Sequence, residues 1–514
     1  MSGRIAVTFE NVSKTFGDHA VLENVSCTLE GGRIVAITGR NGSGKSTFLR
    51  LAGHLLRPSE GRVVVTAGTA PLTRDGLRRH LGLLAPELAL SPELTGLENL
   101  DFLAGLRGRT LTDDEKAALC ERVGLAPEDA RKRVKTCSTG QRQRLALAVL
   151  LASNADLWLL DEPGANLDEA GRETVRREAR AAAERGALVL IATNDAGEAA
   201  WADEVLTLGR DANVTTHNEA ILQPKAPSQR ELSAKLTEGV SKVGTNFIND
   251  FVVEGTNQQP PTTKSRINSR PTSDTPPAAS RPSPLWEGGL DKATAFATLH
   301  LLRRELMTAL RSRSSLAVMA LFSITALLAL SMALGGTVLA PAPLSAMLWA
   351  LLFFASSMGL GGTFAADEAA GTLLTLRVYG TGQAVLYGKT AFSLLMLLLL
   401  AVVLVPLFFV LLDATCTAPL LLLAALVLGL LGLAAAGTLL SALTAGSGGR
   451  AASGLLPVLL LPVILPVFLP AVSLTQAALG GRPAGLSLLV GMGLYDLLLL
   501  VGSSLLFDAL WYED

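Results

Sequence analysis

Hydrophobic positions fall into two regimes along this chain. Through the first two hundred residues they come as short runs between polar and glycine-rich turns. Ile5 to Phe9 alternates as a strand does, and Val12 to Phe16 leads to a turn at Gly17-Asp18. Ile34-Val35-Ala36-Ile37 is a β-branched run that predicts a strand, and Thr47 to Ala52 reads as helix. Arg74 to Leu84 gives a basic segment and then a strand, and Thr95 to Leu100 opens a helical region. A later helix shows the face Leu145, Val149 and Ala152, followed by the apolar strand Leu157 to Leu160 ending in Asp161-Glu162. This is the pattern of a soluble α/β domain over residues 1–210.

From Ser315 on, long runs of Leu, Ala, Val and Gly carry almost no charge, as helices that cross a bilayer do. They predict an all-α membrane domain over 291–514 with about six spans: Ser315–Leu334, Leu344–Phe364, Ala391–Leu412, Pro419–Leu443, Leu455–Leu474 and Leu486–Leu506. Leu299 to Arg313, with Arg303, Arg304 and Arg311, is an amphipathic basic helix suited to a membrane interface. Arg377, Lys389 and Arg450 fall in loops on one side and Arg482 on the other, which predicts both ends inside. Asp367 to Arg377 reads as a short helix between the second and third spans. Asp496 lies well inside the last span, where an acid is either functional or satisfied by a neighbouring Ser or Tyr, unless the span is shifted toward the outer interface.

Between the two domains, residues 211–290 read as a largely disordered linker. Thr256 to Pro284 is too rich in Pro, Ser, Thr, Asn and Gln to bury a core. Before it, Leu232, Leu236, Val240, Val243, Phe247 and Phe251 recur at helical spacing, weakened by Gly239 and Gly244. A formal charge of −1 offers no case for nucleic-acid binding, and four scattered cysteines have neither disulfide nor metal spacing. No signal peptide is read at the start, so the spans themselves are expected to direct insertion.

The chemistry begins after the Ile34–Ile37 strand, at Gly39-Arg40-Asn41-Gly42-Ser43-Gly44-Lys45-Ser46-Thr47. Strand, glycine-rich turn and helix form the context of a phosphate-binding P-loop, in which backbone N–H groups converge on the phosphates. Lys45 would reach the β- and γ-phosphates of a nucleoside triphosphate, and Ser46 would ligand Mg²⁺. Phe16 stands where a ring could stack on a purine, or pack in the core. Asp161 would hold Mg²⁺ through water, and Glu162 could polarise an attacking water. Ser138, in Cys137-Ser138-Thr139-Gly140-Gln141, starts a helix and alone would read as an N-cap.

A P-loop, a Ser-Thr-Gly-Gln helix start and a strand ending Asp-Glu, in that order, resemble the ATP-binding-cassette (ABC) ATPases over Ile5 to about Gly209. Ala165-Asn166-Leu167-Asp168 resembles that family's D-loop. The resemblance implies ATP and Mg²⁺ as cofactors and a sandwich of two domains. Each ATP is then held by Gly39, Asn41, Gly42, Gly44, Lys45, Ser46 and Thr47 of one domain, and by Ser138, Gly140 and Gln141 of the other, with Asp168 in the D-loop. Three positions depart from the family. Pro86 stands at its usual glutamine, with Glu87 one step away as a possible Mg²⁺ contact. Cys137 replaces a leucine, and Asn194 occupies the place of the switch histidine, which predicts slow basal hydrolysis with ATP binding intact.

The membrane half resembles the haem-exporter family of cytochrome c maturation. The resemblance rests on Leu302-Arg303-Arg304-Glu305-Leu306, Arg311, Leu348-Trp349, Phe353-Phe354-Ala355, Glu368, Leu373, Leu374, Leu376 and Gly388-Lys389. It implies a fusion of that system's ATPase and membrane subunits in a bacterial inner membrane. Its ATP hydrolysis would drive release of a haem-loaded chaperone, with a separate haem-handling membrane protein as partner. No histidine follows His300, so the spans offer haem iron no imidazole. An exporter of lipid, polysaccharide or drug, and a non-transporting ATP-driven regulator, remain alternatives. In an exporter, the Asp367–Arg377 segment reads as the coupling helix that receives the ATPase motion. One ATPase domain and six spans make half a transporter, so a homodimer is expected.

Overall fold

The antiparallel part of the fold starts from alternation. Ile5, Val7 and Phe9 face inward along β1 (Ile5–Phe16), which pairs with β2 (His19–Glu30) and β4 (Glu60–Ala67); β5 (Ala70–Pro71) closes that sheet in the order β2-β1-β4-β5. The second sheet is built from continuous apolar runs, as strands covered on both faces are. Its order is β10-β9-β3-β8-β7-β6, from β3 (Arg33–Thr38), β6 (Leu81–Leu84), β7 (Leu157–Asp161), β8 (Leu188–Ala192), β9 (Glu204–Thr207) and β10 (Thr215–His217). All of it is parallel except the β9–β10 pair. Stacked rings of Phe9 and Phe48, 4.3 Å apart, join the antiparallel sheet to α1 (Lys45–Ala52).

The computed structural model describes residues 4–209, 215–217, 292–312, 314–360, 362–445, 450–480 and 485–511. Apart from β10, the expected linker, with its Leu232–Phe251 and Thr256–Pro284 segments, lies outside the described residues. The helices that follow in the first domain are α2 (Arg74–Arg78), α3 (Gly96–Leu106), α4 (Asp113–Arg122), α5 (Pro127–Ala130), α6 (Thr139–Ala152), α7 (Glu169–Glu184) and α8 (Ala196–Ala199). Capping boxes start α3 at Thr95, α4 at Thr112 and α6 at Ser138.

The second half is helical: α9 (Lys292–Ser312), α10 (Ser314–Leu334), α11 (Pro341–Leu360), α12 (Gly362–Ala370), α13 (Leu373–Tyr379), α14 (Gly382–Leu411), α15 (Pro419–Ala445), α16 (Arg450–Gly480) and α17 (Leu486–Trp511). Among the described residues, six helical segments are long and apolar enough to cross a membrane, the number expected. They share one apolar core centred on Trp349, Phe408, Leu430 and Ile464.

Three local expectations change. The segment Asp367 to Arg377 is not one helix. It breaks at Gly371, whose φ of +69° is left-handed, and the Thr372 N–H returns to the Asp367 carbonyl before α13 begins. The basic helix α9 does not lie free on an interface, because Leu301, Arg304 and Glu305 are buried against α3 and α14. Asp496 is 2% exposed between α15 and α16, and among the described residues its carboxylate has no hydrogen-bond partner; the neighbouring Tyr495 hydroxyl donates to the Val463 carbonyl instead.

Candidate nucleotide site

The sheet register assembles this site. Ile37 of β3 and Asp161 of β7 both pair with Ala192 of β8, so three carboxyl-terminal strand ends lie side by side. The loops that leave them carry the P-loop, Glu162 and Asn194, at the edge where open parallel sheets bind ligands. Gly44, with φ +91°, precedes α1 in a conformation that disfavours any side chain, and an added Cβ would lie 2.9 Å from Val21. Lys45 is buried, its ammonium donating to the carbonyls of Gly39 at 3.0 Å and Arg40 at 3.2 Å. Beside it opens a cavity of about 560 Å³ bordered by His19, Val21, Arg40, Asn41, Ser43 and Gly209. Phe16 does not line that cavity and is no core residue either. It is 47% exposed, with the Lys14 ammonium 4.9 Å from its ring centre.

Asp161 is buried and accepts a hydrogen bond from Ser46. Burial pushes its pKa up, and the charges of Glu87 and Glu162 add to the rise, while Ser46 and Arg50 oppose it. A divalent cation beside Asp161 and Ser46 would reverse that penalty, and both groups are hard oxygen donors of the kind Mg²⁺ takes. Among the described residues no three His, Cys, Asp or Glu side chains converge as a metal cage, so phosphate and water oxygens would complete the shell. Glu87 lies 3.8 Å from Arg50 in a half-exposed pair. Thr47 lies half-buried in the first turn of α1.

Glu162 holds a positive φ of 45°, a strained conformation for this residue type, and its N–H is anchored to the Ala192 carbonyl at 2.9 Å. Its side chain is exposed at the strand ends. Asn194 donates its amide to Asn41 Oδ1 at 2.5 Å, tying the loop after β8 directly to the P-loop. Sequence reading missed Glu198. Its buried carboxylate accepts from Thr193 Oγ1 at 2.6 Å and from the Gly164 N–H at 2.9 Å, bracing the Asn194 loop against the loop after Glu162. No periodicity marks it, because its partners come from separate loops.

Ser138, Gly140, Gln141 and Asp168 form a second group. Ser138 and Gln141 satisfy one another in the capping box of α6, and a Cβ on Gly140 would lie 3.4 Å from the Asn166 carbonyl. Asp168 caps α7 and accepts from Arg144 at 2.6 Å. Among the described residues, no hydrogen bond joins Ser138 or Gly140 to residues 39–47. Within one chain, the structure therefore does not unite them with the P-loop.

A family model described as "ABC transporter" matches residues 22–165, and one described as "CcmB protein" matches residues 296–503. The arginine transport ATP-binding protein ArtM of Bacillus subtilis (strain 168) is 33% identical over 239 residues, covering 45% of this chain and 99% of that protein. This chain belongs to the ABC transporter family. Another ABC relative, the glutamine transport ATP-binding protein GlnQ of Escherichia coli (strain K12), is 34% identical over 44% of this chain and 96% of its own length. The Fe(3+) ions import ATP-binding protein FbpC 2 of Rhodococcus jostii (strain RHA1) is 37% identical, with 43% of this chain and 64% of that protein aligned. A solved dimeric bacterial ABC transporter cassette shares 28% identity, covering 41% of this chain and 97% of that chain, with a TM-score of 0.38. The ABC transporter described here is thus an ATPase carrying a CcmB-like, multi-pass membrane domain.

In this ABC transporter the two halves meet through charge. Arg311 of α9 forks onto both Glu98 oxygens at 2.7 Å and onto the Glu93 carbonyl at 2.8 Å, and this pairing holds the Glu98 carboxyl down at about 2. Arg304 is buried among Glu305, Asp367 and the Ser91 hydroxyl; Lys389, fully enclosed, pairs with Glu305 at 2.9 Å and Asp367 at 2.6 Å. Two cations and two anions thus neutralise one another, as burial requires. Thr375 of α13 donates to the Ala89 carbonyl at 2.6 Å.

Proposed function

We propose that this chain is an ATP-driven transporter of the haem-exporter type, a fusion of an ATPase domain at 1–210 and a membrane domain at 291–514 joined by a linker at 211–290. The observation that carries the reading is the grip of a CcmB-like domain on the loop from Pro86 to Ser91. One end of that loop brings Glu87 toward Asp161, and the other is held at Ala89 and Ser91 by Thr375 and Arg304. α13, rather than the whole Asp367–Arg377 segment, then serves as the coupling helix, and movement at the nucleotide reaches the spans through it.

In this reading the P-loop, Gly39 to Thr47, binds the ATP phosphates and Lys45 leaves the Gly39 and Arg40 carbonyls to meet them. Ser46 and Asp161 hold Mg²⁺, which offsets phosphate charge, with Glu87 at the edge of that shell. Phe16 covers the base, Glu162 orients the attacking water, and Asn194 stands in for the switch histidine. Ser138 of the partner subunit, with Gly140 of the partner subunit, closes the sandwich, which supports a homodimer. The ATPase and both termini face the cytoplasm, because ATP is there, and the chain sits in a bacterial inner membrane. Axial ligation of haem falls to a separate haem-handling membrane protein.

A Glu162→Gln strain is expected to accumulate haem-loaded chaperone and to lack mature c-type cytochromes. Normal cytochromes despite abundant inactive protein would transfer the reading to an exporter of another substrate. The range of names among the ATPase relatives, from amino acids and iron to "Daunorubicin resistance ATP-binding protein DrrA3" of Streptomyces coeruleorubidus, keeps that second reading in view.

A further inference from the structure

A second cavity, of about 260 Å³, opens away from the P-loop where α2, the end of α3, and the first turns of α9 and α14 meet. Among the described residues, Arg78, Arg79 and Arg107 border it against one carboxylate, Asp75, leaving two positive charges in excess. Asp75 is 3.4 Å from Arg78, which also donates to the Gly380 carbonyl at 2.8 Å. The 21-residue α9 and the 30-residue α14 both begin at this cavity, so the positive ends of two long helices converge on it.

Helix ends and arginines on a surface would not make a site. Two buried polar atoms on residues that border the cavity do more. Among the described residues, the Tyr379 hydroxyl and Arg107 Nε have no hydrogen-bond partner, although Tyr379 is only 3% exposed. The rest of the Arg107 guanidinium is fixed, donating to the Ser153 and Leu81 carbonyls and lying 4.6 Å over the Tyr379 ring. Burial pushes the Tyr379 pKa up to about 12, so at neutral pH the hydroxyl keeps its proton and remains a donor. Burial also draws Arg107 down to about 10, the direction an unneutralised guanidinium takes. Unpaired buried donors, surplus positive charge and helix N-termini all call for a compact anion with several acceptor oxygens.

We propose that this cavity binds a phosphate-type anion, carried by a lipid headgroup or by a soluble phosphate compound, at the junction of the ATPase and membrane domains. The anion would hold together elements from both halves, and the proposal stands whatever the transported cargo is. It sits below the size of pockets that take drug-sized ligands, which suits a headgroup phosphate rather than a whole nucleotide.

The test uses the full-length protein with two single variants, Tyr379→Phe and Arg79→Gln, neither of which touches the P-loop. In detergent, thermal unfolding is followed while inorganic phosphate is titrated. In parallel, unfolding is compared in vesicles of phosphatidylcholine alone and with added phosphatidylglycerol. A stabilising shift that both variants weaken by about tenfold in apparent affinity, with ATP affinity unchanged, is the expected result. A shift seen in the phosphatidylglycerol vesicles identifies a lipid headgroup; one seen with phosphate in detergent identifies a soluble anion. No shift from either source overturns the proposal. So does a shift of equal size in all three proteins, because the anion would then be acting elsewhere.

Discussion

Replacing Asn194 by histidine should accelerate this ATPase by about a hundredfold. Asn194 leaves β8 between the P-loop and Glu162, where a side chain can meet the γ-phosphate and the attacking water. Its amide is committed to Asn41 Oδ1 at 2.5 Å. A histidine there reaches further and donates a hydrogen bond that strengthens as charge develops. Such a transition-state hydrogen bond is worth about 3 kcal/mol, about a hundredfold in rate. The substitution also removes the Asn194–Asn41 bond, an exposed contact worth about 1 kcal/mol of stability. That loss falls on ground and transition states alike, so the rate gain stays at about a hundredfold. The assay is phosphate release from the purified full-length protein, with ATP affinity measured separately and expected to be unchanged. The variant should also acquire a pH dependence near about 6.5, where the new imidazole titrates. Brisk turnover in the native protein, or no gain in Asn194→His, would show that Asn194 is already compensated. Loss of ATP binding would show that this position is not the switch.

Two further outcomes follow from the electrostatics. Asp161→Asn should abolish Mg²⁺-dependent hydrolysis yet raise the unfolding temperature of the nucleotide-free protein. Burial lifts the folded-state pKa of Asp161 above its ordinary 3.8, so its charge disfavours the folded state at neutral pH; the gap between variant and native protein should shrink as pH falls through the raised folded-state value and be closed by the ordinary 3.8. An unchanged or lowered melting temperature at pH 7 would contradict this. Glu98→Gln should loosen the junction with α9 by about 1 kcal/mol after solvent screening. Its carboxyl titrates at about 2 when folded against an ordinary 4.5. The contribution of Arg311 pairing and the Thr95 cap is therefore full above the ordinary value and lost as pH falls through about 2. Melting curves of variant and native protein from pH 7 downward should converge, and a pH-independent gap would refute the assignment.

The sequence alone determined whatever depends on neighbours along the chain. A glycine-rich turn between a β-branched run and a helix announces a phosphate loop because backbone geometry there is local. Six apolar runs announce membrane helices because bilayer thickness sets their length. Ser138 was legible as an N-cap for the same reason, and the order of motifs brought the family with it.

Tertiary structure decided the encounters between distant residues. Arg304 with Asp367, Lys389 with Glu305, Asn194 with Asn41 and Thr375 with Ala89 are separated by 63, 84, 153 and 286 positions. No periodicity encodes such pairs, since each charge alone reads as a solvated surface residue or a membrane anchor. Arg304 and Lys389 looked like interfacial and loop cations until packing placed both beside Asp367 and Glu305. Burial then made pairing compulsory, because an isolated charge in that interior would cost far more than the matched pair. The break at Gly371 has the same origin: Asp367 is drawn into that cluster, and only a left-handed residue lets the chain turn away toward the ATPase.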